Sequence, residues 1–296
     1  MPDTTANASI PEVNHHYVAL NALNDTALHY VSAGSEGTPV LLVHGFPETW
    51  WAFHRLIPIL ATEHRVIAVD LPGFGDSAIA PDDYDSATAA EALQQLIDEL
   101  DLGAVHLTGQ VISGPSTFRL AAVYPELIRS FAAIETGLPG FGLEMLADVT
   151  HGGSWHIGVL AAPGIPEMLL RGREREFLAG YAYPAMCATP GAITDQDVDE
   201  FTRTFSRPNG FDGASGLYRS MLNEGEEIQA LAAQNKLQMP VLAVGAGSGD
   251  FPHHTMTQVA DHVSAAALDG VGHYAAMEAP DALAQTLLDF YRSIDA

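Results

Sequence analysis

The sequence predicts an α/β fold, a mostly parallel sheet flanked by helices with a mainly helical segment set into it. Three observations carry that expectation. Short continuous apolar runs recur towards both ends of the chain, as strands buried on both faces require. Helix-patterned stretches alternate with them, which places helices on the faces of a parallel sheet. From about residue 139 to 233 the alternation stops, and Gly and Pro become frequent.

The elements follow in order. The first dozen residues are small and polar and read as a loose end. Strand-like runs cover Tyr17 to Leu20 and Ala27 to Val31, parted by the turn-prone Asn24-Asp25. Val40 to Val43 is wholly apolar and runs into His44-Gly45-Phe46-Pro47. Val66 to Val69 is a second such run, ending in Asp70-Leu71-Pro72-Gly73-Phe74-Gly75-Asp76-Ser77. Thr88 with Glu91 reads as a capping box for a helix whose apolar face is Leu93, Leu96, Ile97 and Leu100. Val105 to Thr108 is the next strand, followed by Gly109 and a helix running towards Tyr124, then a strand at Phe131 to Ile134. Helix-like pieces in the middle segment include Glu174 to Leu178 and Asp195 to Phe205. Strands return at Val241 to Val244 and Ala265 to Leu268. Pro280 opens a last helix with Leu283, Leu287, Phe290, Tyr291 and Ile294 on one face. This divides the chain into a core of residues 1–138 and 234–296 and a lid of residues 139–233, a placement suited to covering an active site.

Composition narrows the function. The chain has 296 residues, is 47% hydrophobic and carries a formal charge of −25, so it is a folded, acidic protein. Thirty-seven Asp and Glu oppose 12 Lys and Arg, with no basic cluster, which excludes nucleic acid and anionic membrane as expected partners. Cys187 is the only cysteine, so neither an internal disulfide nor a thiolate metal cage is expected. His15-His16 and His253-His254 lack a carboxylate at helical ligand spacing, and no metal site is expected from them. Gly73-Phe74-Gly75 lacks the third glycine of a dinucleotide fingerprint, and no cofactor is implied. Met1 to Pro11 has neither positive charge nor apolar core, and no apolar stretch reaches the ~18 residues of a membrane span. A soluble, cytoplasmic protein is expected, with a homodimer left open as its assembly.

The ordered motifs resemble those of the α/β-hydrolase superfamily, and within it the epoxide hydrolases and their dehalogenase relatives. His44-Gly45-Phe46-Pro47 with Glu48, Thr49 and Trp50 is similar to the loop after the third strand. The segment Asp70 to Ser77 is similar to the loop after the fourth. Gly270-Val271-Gly272-His273 with Glu278, Ala279 and Pro280 is similar to the segment of the catalytic histidine. The resemblance spans about residues 15 to 295 and implies an α/β-hydrolase fold.

One landmark departs from the pattern. The family's sharp turn carries its nucleophile between small residues. Here the turn reads Gly109-Gln110-Val111-Ile112-Ser113-Gly114 and sets Val111 at the nucleophile's position. Epoxide hydrolases carry Asp there and esterases Ser; valine has no lone pair to attack with. Ser113 is a poor substitute, since an elbow centred on it would need small residues where Val111 and Pro115 stand.

The other parts of the machinery are retained, as the resemblance implies. His273 matches the general base, and Glu135 matches the acid that orients it after the sixth strand, with Asp250 as the alternative acid. His156 and Tyr218 match lid residues that hydrogen-bond an epoxide oxygen. The backbone N–H groups of Phe46 and Ile112 match an anion hole. Trp50, Val111 and Trp155 complete the expected substrate-binding set, while His44 and Asp70 read as loop-shaping residues. Phe141, Met145, Leu146, Trp155, Met168 and Tyr183 suggest that the lid faces an apolar or aromatic substrate.

These residues point first to an epoxide-opening enzyme without a covalent intermediate, in which His273 deprotonates water or the substrate's own hydroxyl, giving hydrolysis or cyclisation. The alternatives are other chemistry of the same base (elimination, isomerisation, cofactor-free oxygenation) and a non-catalytic ligand-binding protein.

Overall fold

The computed structural model describes residues 8–11, 13–79 and 84–296; most of the loose N-terminal end expected from the sequence therefore lies outside the described residues. Eight strands form one sheet: β1 (Asn14–Leu20), β2 (Thr26–Ala33), β3 (Pro39–Val43), β4 (Arg65–Val69), β5 (Val105–Gln110), β6 (Ile128–Ile134), β7 (Val241–Gly245) and β8 (Val263–Ala267). Their order is β1-β2-β4-β3-β5-β6-β7-β8. The pairs β1–β2 and β2–β4 are antiparallel, and every later pair is parallel. All eight expected strands are present, so the α/β expectation holds.

Burial explains the central strands. Val40, Leu41, Leu42 and Val43 are fully inaccessible, as β-branched and apolar residues on a doubly covered strand should be. Helices Ser86–Glu99, Gly114–Val123 and Pro280–Asp295 cover the sheet. The first of these begins earlier than expected. Asp85, not Thr88, is its cap: Asp85 has extended backbone and its carboxylate accepts the Thr88 N–H at 2.7 Å. Glu91 therefore lies inside the helix rather than closing a capping box.

The segment between β6 and β7 is helical, including Trp155–Ala161, Asp195–Phe205, Asp212–Asn223 and Gly225–Gln234. The chain's few arginines join it to the sheet layer. Arg203 holds Asp76 through two parallel N–H···O contacts of 2.8 Å. Arg55 meets the buried Asp197 at 2.7 Å, and Trp51 Nε1–H donates to the same carboxylate at 2.9 Å. Arg119 reaches Glu224 and Glu227 at 3.0 and 2.9 Å. Asp197 is buried, so removing Arg55 would strand its charge at a cost of about 3–5 kcal/mol. The described residues contain no helix long and apolar enough to cross a membrane.

Candidate active site

In a sheet of this kind the carboxyl ends of the parallel strands gather the loops that bind ligands. Here those loops are the ones after β3 to β7. Two of them begin with a non-glycine residue in the left-handed region: Val111 after β5 has φ 54°, and Glu135 after β6 has φ 48°. For a β-branched residue this conformation is a strong outlier and costs on the order of 1–3 kcal/mol.

The surroundings impose the turn at Val111. Thr136 Oγ1 donates to the Val111 carbonyl at 2.5 Å. A Cβ on Gly45 would lie 2.4 Å from Val111 Cβ, and one on Gly114 would lie 2.1 Å from Thr136 Oγ1, so both close approaches require glycine. Ser113 is part of the same scaffold. Its buried hydroxyl donates to the Gln110 carbonyl at 2.7 Å and accepts the Gln110 N–H at 2.9 Å, which commits it to the turn rather than to chemistry.

Glu135 is tied to the loop after β7 and to His273. It accepts hydrogen bonds from Ala246 N–H (2.5 Å), Ser248 N–H (3.0 Å) and Ser248 Oγ–H (2.6 Å). Its second oxygen lies 2.9 Å from His273 Nδ1. Burial alone would raise this carboxyl, but the bonds from His273 and Ser248 hold it below the ordinary glutamate value. An ionised Glu135 fixes the proton on Nδ1 and leaves Nε2 as the basic nitrogen. Asp250 takes no part: it is exposed and pairs with His253 at 3.3 Å, at the start of helix Phe251–Val259. Glu278 anchors the His273 loop, accepting the Ala188 and Thr189 N–H groups at 2.8 Å and the Gly272 N–H at 3.2 Å.

His273, Glu135, His156, Tyr218, Val111 and Ile112 all line one cavity of about 460 Å³. His156 and Tyr218 are 5% and 4% exposed, with ring centroids 5.9 Å apart in an edge-on arrangement. Burial, aided by the nearby His273, lowers His156 to about 4, so it is a neutral imidazole. Its Nδ1 lies 3.2 Å from the Tyr181 hydroxyl, a partner with no sequence signal of its own. Burial raises the Tyr218 phenol well above its ordinary value, which keeps it a hydrogen-bond donor.

Other expected contacts fall elsewhere. Phe46 lies against the rings of His156 and Tyr218, at 6.4 and 5.5 Å, but does not line the cavity. Trp155 is 44% exposed on the outer side of its helix and packs on Tyr181, because the neighbouring His156 takes the inward position. Trp50 is buried beneath the loop, donating its backbone N–H to Asp70 at 2.8 Å. Of the apolar lid residues named from the sequence, only Leu146 lines the cavity. Met145 and Met168 face outward, and Tyr183 is buried with its hydroxyl on the Pro47 carbonyl. The apolar wall comes instead from Leu143, Ile157, Met186, Met221, Phe251 and Val271. His44 and Asp70 shape loops as expected: His44 Nε2 accepts the Leu71 N–H at 3.0 Å, and Asp70 binds His29 at 2.7 Å.

Two functional-looking side chains escaped sequence reading. Cys187 lines the cavity, but burial and the neighbouring Glu278 raise its thiol to about 11, so it stays protonated and is no substitute nucleophile. Glu48 is fully buried behind the turn, and one oxygen accepts the Gln110 side-chain amide at 2.6 Å. Burial lifts its carboxyl to about 7, against the opposing effect of Gln110.

Comparison with known proteins agrees with this architecture. The family described as alpha/beta hydrolase fold matches residues 38–157. The soluble epoxide hydrolase of Corynebacterium sp. (strain C12) is 28% identical over 295 residues, 95% of this chain and 98% of the relative. Epoxide hydrolase 2 of Caenorhabditis elegans is 27% identical over 233 residues, 76% of this chain and 63% of the relative's own length. Among solved structures, Cfl2 from Burkholderia cenocepacia superposes with a TM-score of 0.85 at 32% identity, covering 98% of this chain and 97% of that one. Sheet order, site position and these likenesses agree: the chain has the α/β-hydrolase fold, and epoxide hydrolases are among the proteins it is similar to.

Proposed function

We propose that this protein is an epoxide hydrolase-like enzyme that opens its substrate by general acid/base chemistry, with no covalent intermediate. One observation carries the reading: an oriented base, His273 on Glu135, shares a largely apolar cavity with two hydrogen-bond donors, while the turn beside them presents Val111. A pocket that only held a ligand would have no use for a carboxylate-fixed imidazole.

In the proposed reaction His273 Nε2 takes the proton of a water molecule or of a hydroxyl on the substrate. The freed oxygen bonds to one epoxide carbon as the ring C–O bond breaks. Neutral His156 and the Tyr218 phenol donate hydrogen bonds to the departing oxygen, where negative charge develops. That oxygen then gains a proton, and His273 returns to its neutral form. Val111 and Ile112 form part of the apolar wall, and residues 139–233 act as the lid. The substrate is a small apolar or aromatic epoxide, and no cofactor takes part.

The test is a panel of aliphatic and aryl epoxides, some bearing an internal hydroxyl, offered to the enzyme in heavy-oxygen water. The reading expects labelled diol or a cyclised ether from the wild type, and neither from His273→Ala. If the wild type makes no product but binds panel members as tightly as His273→Ala does, the protein is a binder and the reading fails. Val111→Asp adds a separate check on the cavity: diol formation through a covalent ester should then appear.

A further inference from the structure

At the end of the sheet opposite the cavity, three residues far apart in the chain converge. His64 immediately precedes β4, His106 is the second residue of β5, and Asp295 ends the last helix. One ligand atom from each lies within 4.8 Å of the others. The two imidazoles are braced by Tyr291, which stacks on His106 at 4.3 Å and meets His64 edge-on at 5.4 Å.

The hydrogen bonding leaves His64 incomplete. The ring is 4% exposed, and its Nδ1 lies 3.0 Å from the Thr38 carbonyl. A carbonyl only accepts, so Nδ1 carries the proton and Nε2 holds a bare lone pair. That Nε2 is buried and has no hydrogen-bond partner among the described residues, an arrangement that is unfavourable unless something electropositive meets it. His106 Nδ1 is 2.7 Å from Ser130 Oγ, and its Nε2 is 3.3 Å from Asp295 Oδ2. The other Asp295 oxygen receives Arg129 Nε–H at 2.6 Å, which orients the carboxylate.

We infer that His64, His106 and Asp295 form a binding site for a divalent transition-metal ion of the zinc type. The 3.3 Å separation of His106 Nε2 and Asp295 Oδ2 suits two ligands each ~2.1 Å from one ion at a near-tetrahedral angle. On binding, His106 passes its proton to Nδ1, which then donates to Ser130, while Nε2 turns to the metal. Both histidines would thus have an oxygen acceptor on Nδ1, the usual outer support of a metal-bound imidazole. Two nitrogens and one carboxylate favour Zn²⁺, Co²⁺ or Ni²⁺ over Ca²⁺ and Mg²⁺, which prefer oxygen-only sites. The Asp295 side chain is 24% exposed, so an ion can enter from solvent and water can complete its coordination. An ion held here would clamp the end of the last helix to the starts of β4 and β5, a structural role separate from the cavity.

The full chain, stripped with chelator, is titrated with Co²⁺ alone while visible absorption is followed, and melted with and without Zn²⁺. The inference expects one tightly bound Co²⁺ per chain with an imidazole-type spectrum, and a rise in Tm with Zn²⁺. Asp295→Asn, which keeps the shape of a partly exposed side chain, and His64→Gln should each abolish both signals. Ser130→Ala should weaken Zn²⁺ about 10- to 100-fold. The inference is overturned if the wild type takes up no Co²⁺ at millimolar concentration, or if Asp295→Asn and His64→Gln bind it as the wild type does.

Discussion

The turns after β5 and β6 each open on a residue in the left-handed region, and the two residues are opposites in chemistry. Val111 and Glu135 both sit in the left-handed region, both follow a parallel strand, and both are gripped by hydrogen bonds from neighbouring loops. Glu135 puts its strained position to use by projecting a carboxylate onto His273, whereas Val111 projects two methyl groups into a cavity wall. The scaffold holds a strained turn around an apolar residue as firmly as around a charged one. Strain at a site is evidence that the fold built the site, and the side chain alone says what the site does.

The largest effect should come from removing the base that Glu135 orients. His273→Ala is expected to lower turnover by about 10²–10⁴-fold while ligand affinity, measured by calorimetry, stays close to wild type. Glu135→Gln keeps the shape but loses the charge, and a smaller drop of roughly 10–10³-fold in kcat is expected, with KM little changed.

A third prediction concerns the carboxyl group buried behind the silent turn. Glu48 is raised to about 7 from an ordinary 4.5, so its stabilising contribution is present below pH 4.5 and lost as pH rises through 7. His156, lowered to about 4 from an ordinary 6.5, has the opposite sign: its contribution is present above pH 6.5 and lost as pH falls through 4. The two largely offset each other in the wild type between those limits. Glu48→Gln should remove one side of the balance and gain roughly 3 kcal/mol at pH 8 relative to pH 4.5, read from urea unfolding at both pH values.

Smaller effects sharpen the comparison. Val111→Gly relieves the left-handed strain and should change stability by about 1 kcal/mol while leaving the rate of a His273-dependent reaction nearly intact. Tyr181→Phe removes the hydroxyl beside His156 Nδ1 and should slow turnover only about 5- to 10-fold, the size of one ordinary hydrogen bond.

Much of this architecture was legible from local pattern. The wholly apolar runs at Val40–Val43 and Val241–Val244 have no stable place except inside a sheet, and they are found there. Glu135, His273, His156 and Tyr218 were legible because ordered motifs fix their places in the chain, and the fold brings all four to one cavity. What escaped was set by helix rotation. Trp155 and His156 are adjacent, so a turn of about 100° sends one outward and one inward, and no pattern in that short helix says which. Likewise Asp85 displaced Thr88 as a cap because both are good caps three residues apart, and the choice rests on where the preceding loop arrives. Cys187, Tyr181 and the His64–His106–Asp295 group depend on distant segments meeting, which spacing cannot reveal.

The close fit of Gly45 against Val111 bears on how such a protein can change over generations. Valine and aspartate side chains are nearly the same size. With the backbone already held in position, a substitution here would place a carboxylate on a finished pedestal, opposite a base that is already oriented. On the reading proposed above, covalent and non-covalent chemistry are therefore one side chain apart on a fold that need not be rebuilt to pass between them.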